Sequence, residues 1–160
     1  MKSFLIAFSF LAAVCFSACN NQQNEPLAAA KKDTTASLEG NWITVSMEQN
    51  GKVSTPKRTP QEFKMFHDGY FSLVMYDNEG KFYLGAAGPY ELNGNMYKET
   101  LAFCNDTTAI NDKNWQKWEL KGDTLIFYGF EKAELADGKD VTNEWNAGGK
   151  FIEKRVRVKK

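Results

Sequence analysis

Seven glycine-centred dipeptides, Asn50-Gly51, Asp68-Gly69, Glu79-Gly80, Asn93-Gly94, Lys121-Gly122, Asp137-Gly138 and Gly148-Gly149, recur from residue 50 onward. Each is of the kind that admits positive φ in a tight turn. Between them lie short runs rich in Phe, Tyr, Val, Ile, Thr and Trp, residues that fit a pleated, half-buried surface. The pattern predicts strands at 41–48, 61–66, 70–76, 81–86, 90–92, 96–104, 115–120, 124–130 and 151–158. No segment carries a helix of about ten residues by its periodicity. Residues 131–136 have room for a single helical turn, which Asp137-Gly138 stops. The strongest local signal is Asp68-Gly69, which sits between two apolar-aromatic runs and leaves room only for a tight turn. The expected fold is therefore all-β: an antiparallel up-and-down β-barrel of eight or nine strands, whose closure removes the exposed edges of a flat sheet. A β-sandwich is the alternative.

A chain of 160 residues has the length of one globular domain. Its 20 basic and 20 acidic residues balance, which gives no electrostatic reason to expect nucleic acid, a partner that usually needs a basic face with phosphate-reaching Lys and Arg.

The N-terminus reads as an address. Lys2, an apolar run over 4–16 and the small residues Ser17 and Ala18 have the order of a signal peptide, and the run is shorter than the roughly 20 residues a spanning helix needs. Phe16-Ser17-Ala18-Cys19 resembles a bacterial lipobox. The resemblance implies a lipoprotein signal peptide at 1–18, cleaved before Cys19, whose thiol then carries the lipid; several acyl chains make a stable membrane anchor. Asn20 stands where an Asp would retain a lipoprotein at the inner membrane, so the expected location is the outer membrane, facing the periplasm or the cell surface. Loss of Cys15 with the signal and use of Cys19 for lipid leaves Cys104 alone, so no disulfide forms within the mature chain.

Residues 19–37 hold a run of Asn and Gln, Pro26, Ala28 to Ala30, two Lys and no aromatic residue. Such a segment buries too little apolar surface to offset its ordering entropy and is expected to be a flexible, lipidated tether. All twelve Gly and eighteen of the 22 aromatic residues lie beyond Ser37, which sets the folded domain at 38–160.

Few residues carry chemistry. His67 is the single histidine and lies at the Asp68-Gly69 turn, where His is an ordinary occupant. One His rules out a three-His zinc site and leaves a nucleophilic triad dependent on one exposed ring. Cys104 has no second His to activate it and reads as a small buried hydrophobe. Asp106, Asp112, Glu131, Glu134, Asp137 and Asp140 read as solvated loop charges, and residues 137–140 lack the acidic repeat of a calcium loop. No catalytic residue, metal site or cofactor is expected.

The aromatic surplus is the functional lead. Residues 70–76 and 125–130 are apolar on both faces, so something covers the second face. Phe71, Leu73, Met75 and Phe127 are candidates for the interior, and Tyr76, Tyr83, Trp118 and Tyr128 for a mouth or a partner surface; these eight are the candidate ligand-binding residues. Trp115 and Trp118 are three apart and face opposite ways on a strand.

Leu38-Glu39-Gly40-Asn41-Trp42 at the head of the first strand resembles the Gly-x-Trp opening of lipocalins. In that family the Trp plugs the closed end of an eight-stranded barrel and an Arg of the last strand packs across its ring. The resemblance implies that Gly40 and Trp42 close the barrel with Arg155 or Arg157. Lipobox, tether, Gly-x-Trp start, the hairpin at Phe66 to Phe71 and the basic last strand together are similar to small lipocalin-like lipoproteins of Bacteroidota with no assigned activity. What the resemblance implies is a non-enzymatic, lipid-anchored envelope protein that binds a small apolar or amphipathic ligand. The alternative is a solid-barrel accessory lipoprotein that docks an envelope protein or a glycan.

Overall fold

The computed structural model describes residues 37–57 and 59–159. The expected signal peptide, Cys19 and the tether up to residue 36 lie outside the described residues. Among the described residues ten strands form: β1 Gly40–Gln49, β2 Lys52–Ser54, β3 Glu62–His67, β4 Tyr70–Tyr76, β5 Phe82–Asn93, β6 Met96–Thr100, β7 Phe103–Cys104, β8 Lys113–Lys121, β9 Thr124–Glu134 and β10 Phe151–Arg157. One helical turn, α1 Thr142–Trp145, precedes β10.

Every pairing is antiparallel, and the sheet runs β1-β3-β4-β5-β6-β8-β9-β10 before β10 returns to pair with β1. Ile43 stands opposite both Val156 of β10 and Phe63 of β3, so the first strand is hydrogen-bonded on both edges. That closure makes an eight-stranded, lipocalin-like up-and-down barrel and excludes the sandwich. The short β2 extends the upper part of β1, and β7 pairs with Ala86 and Ala87 of β5.

The turns follow from the dipeptides. Asp68 and Gly69 both take positive φ, 48° and 76°, as a two-residue hairpin matched to strand twist requires. His67 and Tyr70 then face each other across it. Two predicted boundaries shift for reasons local pattern does not carry. The runs 81–86 and 90–92 join into one long β5, because Gly88 serves a close approach and not a break. A Cβ there would lie 1.9 Å from the Thr100 carbonyl oxygen. The run 96–104 divides instead, because the Leu101 N–H donates to the Asp112 carbonyl at 2.9 Å and its carbonyl accepts from Asn111 at 2.8 Å.

The helical turn expected at 131–136 is not there. Lys132, Ala133 and Glu134 continue β9 and pair with Trp115, Asn114 and Lys113 of β8, a long-range ladder that overrides local preference. The turn lies later, in α1, where the Asp140 carboxylate accepts the Thr142 N–H at 2.8 Å.

One end of the barrel is plugged. Leu38, Trp42, Phe66, Phe71, Tyr97, Leu125 and Phe127 are fully buried there. Phe66 meets Tyr90 and Tyr97 edge-on at 5.2 and 5.9 Å between centroids, and Tyr97 meets Phe127 at 5.1 Å. The Trp42 indole N–H donates to the Leu38 carbonyl at 2.7 Å, and the Arg157 guanidinium carbon lies 4.2 Å from the Trp42 ring centroid. Arg157 also donates to the Glu39 carbonyl, tying the last strand to the segment ahead of the first.

Candidate functional site

Above the plug the barrel is hollow. A cavity of about 330 Å³ opens toward the other end, within the size range of small-molecule sites. Its apolar lining is Leu73, Met75, Leu84, Ala86, Leu101 and Phe127. Among these stand Glu62, Lys64, Glu99, Asn114, Gln116, Glu153 and Arg155, with Glu62 across from Met75, Lys64 from Leu73 and Glu153 from Phe127 in the strand register. At the mouth Phe130 is held edge-on by Trp145 of α1 at 5.1 Å and by Phe151 at 5.2 Å.

The charged part of the lining is a consequence of strand alternation. On β3 the residues Glu62, Lys64 and Phe66 point inward, while Met65 and His67 point out. On β10 Glu153 and Arg155 share the inner face with Arg157. On β8 Asn114 and Gln116 are buried, and Trp118 of the same strand packs against the core.

The buried groups satisfy one another. Lys64, 4% exposed, donates to Glu99 at 2.6 Å and sits among four rings, closest to Phe71 at 4.7 Å from the centroid. Glu99 also accepts from Asn114 Nδ2 at 2.9 Å and from the Tyr97 hydroxyl, and Gln116 donates on to Asn114 at 2.9 Å. Burial opposes the charge on Glu99, but Lys64 and the other donors outweigh it and hold its carboxyl below the usual range. Burial and the adjacent Glu99 carboxylate push the Tyr97 hydroxyl well above its ordinary value, so it remains a donor.

A second cluster is centred on Arg155, which is 3% exposed. Its Nη2 donates to both Glu62 and Glu153, the latter at 2.9 Å, and Thr44 Oγ1 donates to Glu153 at 2.8 Å. Burial works against ionised Glu153, yet Arg155 and Thr44 hold it below the usual carboxylate range. For Glu62 burial wins over Arg155 and raises its carboxyl from 4.5 to about 7. The remaining Arg155 nitrogens, Nε and Nη1, are buried and have no hydrogen-bond partner among the described residues, and the guanidinium lies 5.9 Å from the Phe127 centroid.

The structure distributes the sequence candidates as follows. Leu73, Met75 and Phe127 line the cavity, and Phe71 is buried in the plug. Trp118 packs inward against the core while Trp115 faces outward beneath Lys132, 4.8 Å from its ring. Tyr76 meets Phe82 at 6.4 Å between centroids. Tyr128 is on the outer wall, its hydroxyl donating to Glu119 at 2.8 Å, and Tyr83 is exposed to solvent. Gly40 and Trp42 lie at the closed end with Arg157 across the indole; Arg155 is higher in the interior, in the charged cluster.

His67 is exposed at its turn, 3.4 Å from Glu39. Cys104 is half-buried and borders the cavity. Asp112 departs from its reading as a solvated charge: it is buried and accepts the Ala136 N–H at 2.9 Å. Among the described residues no group of three or more His, Cys, Asp or Glu is placed to hold a metal ion.

Glu62, Lys64, Glu99, Asn114, Gln116 and Glu153 are absent from the sequence candidates. The signal that finds them is the period of two: once Phe66 or Arg157 is fixed as inward, every second residue of its strand is inward too.

The chain is similar to a lipocalin-like protein from Bacteroides uniformis, with 17% sequence identity and a TM-score of 0.49 over 76% of this chain and 98% of that one. It is also similar to an uncharacterized protein from Bacteroides eggerthii, with 16% identity and a TM-score of 0.47 over 75% of this chain and 99% of that one. No protein-family model and no curated protein matches the chain.

Proposed function

We propose that this chain is a lipid-anchored protein of the cell envelope whose barrel takes up a small amphipathic ligand without transforming it. The observation that carries this reading is the 330 Å³ cavity whose lining combines apolar and charged side chains. An apolar body has a complementary surface along Leu73, Met75 and Phe127, and a polar head has partners on the neighbouring strands. The cavity carboxylates Glu99 and Glu153 are each held by several donors, an arrangement for charge storage and not for proton transfer to a reacting group. Anchoring through Cys19 and residence at the outer membrane rest on the lipobox resemblance.

Native mass spectrometry of the full chain purified from its own cells tests the reading: a bound mass that disappears in Ala86→Phe, whose ring projects into the cavity, supports it. Absence of any bound molecule and of any binding by amphiphilic fluorescent probes overturns it. Labelling with radioactive palmitate that is lost in Cys19→Ser tests the anchor.

A second reading draws on the outer wall. Phe103 and Tyr83 are 71% and 67% exposed, and a shallow hollow lined by Gly85, Ala87, Phe103 and Ile110 lies on that side. This is the surface an accessory lipoprotein would use to dock an envelope protein or a glycan. Partner binding lost in Phe103→Ser but kept in Ala86→Phe would favour it.

A further inference from the structure

The fixed charges around the cavity do not balance, and the location of the surplus selects a class of ligand. The step rests on the reading of the cavity as a ligand site. Among the described residues that line the cavity three buried carboxylates, Glu62, Glu99 and Glu153, accompany two buried cations, Lys64 and Arg155. Lys64 belongs to Glu99, whose two oxygens are further engaged by Asn114 and Tyr97. Arg155 is divided between the other two carboxylates through one nitrogen. Glu153 has the Thr44 hydroxyl in addition, whereas among the described residues Glu62 has no donor besides Arg155. The uncompensated negative charge therefore falls on Glu62.

Glu62 is also the group best placed to meet a ligand. It lines the barrel cavity and, with Thr44, Met47 and Met75, a second hollow of about 330 Å³ beneath the loop after β2. The unpartnered nitrogens of Arg155 do not offer an equivalent anion site. They are sealed from solvent, and the guanidinium lies 5.9 Å from the Phe127 ring centroid. An anionic head would have to displace Glu62 or Glu153 from Arg155 and would bring a fourth negative charge into the same low-dielectric volume.

We propose that the cavity binds a cationic amphiphile, its ammonium head paired with the Glu62 carboxylate and its apolar tail laid along Leu73, Met75, Leu84 and Phe127. A neutral polar head leaves the surplus charge unpaired, and an anionic head adds to it, so the unbalanced carboxylate gives selectivity as well as attraction. Below neutral pH a proton on Glu62 does what the ammonium head does above it. The groups facing Glu62 are Arg155 and Glu153 of β10, Lys64 of its own strand, the uncharged Thr44 of β1 and Met75 of β4, and the exposed Lys57 across the second hollow. Of these Arg155 stays charged over the working range, and Glu153 is held ionised by Arg155 and Thr44. Uptake of the ligand consequently releases a proton near neutrality.

The test is calorimetric titration of the full chain carrying Cys19→Ser, so that no acyl chain competes, with octylamine, octanol and octanoate. At about pH 8 octylamine is expected to bind at least roughly tenfold more tightly than either of the others. That advantage should shrink toward unity at about pH 5, and titration in two buffers of different ionisation heat should show proton release near neutrality. Glu62→Gln preserves volume and is expected to bind octylamine and octanol alike at both pH values. Should that variant not fold, the pH dependence of the unsubstituted side chain carries the test. Octanoate binding as tightly as octylamine, or an amine preference indifferent to pH and to Glu62→Gln, overturns the proposal while leaving the cavity reading intact. Failure of all three probes to bind overturns both.

Discussion

The Arg157 guanidinium carbon lies over the Trp42 ring, 4.2 Å from its centroid, and joins the last strand of the barrel to the first at the closed end. Trp42 is completely buried and its N–H is held by the Leu38 carbonyl, so the ring cannot turn away. Arg157→Met removes the cation and keeps much of the stem, and is expected to cost about 1–2 kcal/mol of stability. Trp42→Phe costs more, because it also orphans the Leu38 carbonyl. In a double-mutant cycle by urea denaturation the two losses should be less than additive by about 0.5–1 kcal/mol. Strict additivity would show the two residues to be energetically independent.

Gly40 is required by the same pair. Its φ is 123°, a region that L side chains rarely adopt, and a Cβ there would lie 2.5 Å from Arg157 Nη1. Gly40→Ala therefore combines backbone strain with displacement of the guanidinium from the indole, for an expected loss of about 1–3 kcal/mol. In an Arg157→Met background the steric part vanishes and only the strain remains. Thermal denaturation of the two single variants and the double variant checks this, and an equal cost in both backgrounds would refute the contact.

Removing one member of the Lys64–Glu99 pair leaves the other as an uncompensated charge in the core. Lys64→Met and Glu99→Gln are each expected to destabilise by about 3–5 kcal/mol. The double variant is expected to recover a large part of the combined loss, since the ionic interaction and its desolvation cost disappear together. Guanidinium titrations of the four proteins measure the coupling. Because the pair is sealed among Phe66, Phe71, Tyr97 and Phe127, the effect should be nearly insensitive to salt, unlike that of an exposed pair.

The barrel was readable because its turns are written locally and its interior was not. Asp68-Gly69 can do little between two apolar runs except turn, and the structure has the strand after it, Tyr70–Tyr76, with the predicted bounds. Gly88 and Pro89 look like the same punctuation but belong to a strand, since the reason for Gly88 is the Thr100 backbone. The charged part of the lining was hidden by distance. Lys64 finds its carboxylate 35 residues on, and Arg155 reaches Glu62 across 93 positions. Read in sequence, Glu62-Phe63-Lys64-Met65 offers an apolar face to the core. In the barrel the charged residues of that run point inward, and the opposite face is only partly covered. Binary pattern assumes that the core is apolar; a barrel that keeps a polar cavity inverts it.

Glu62 makes stability depend on pH in a direction opposite to that of most carboxylates. Its folded value of about 7 lies above the ordinary 4.5, so the native state binds a proton that the unfolded chain has already released. The contribution is fully present below about pH 4.5 and is lost as pH rises through 7, a decline of up to about 3 kcal/mol at roughly 1.4 kcal/mol per unit. Glu99 and Glu153 lie below their ordinary values and act in the reverse sense: their contributions are present above about pH 4.5 and are lost as pH falls through their folded values. The two trends place maximum stability on the acid side of neutrality, near pH 5 to within about a unit. Urea denaturation between about pH 4 and 8 should show stability falling over the upper half of that range. In Glu62→Gln the fall should flatten, because the amide carries no charge in either state. A chain whose stability rose steadily from pH 5 to 8 would show that Arg155 keeps Glu62 ionised and that the interior holds its full complement of charge.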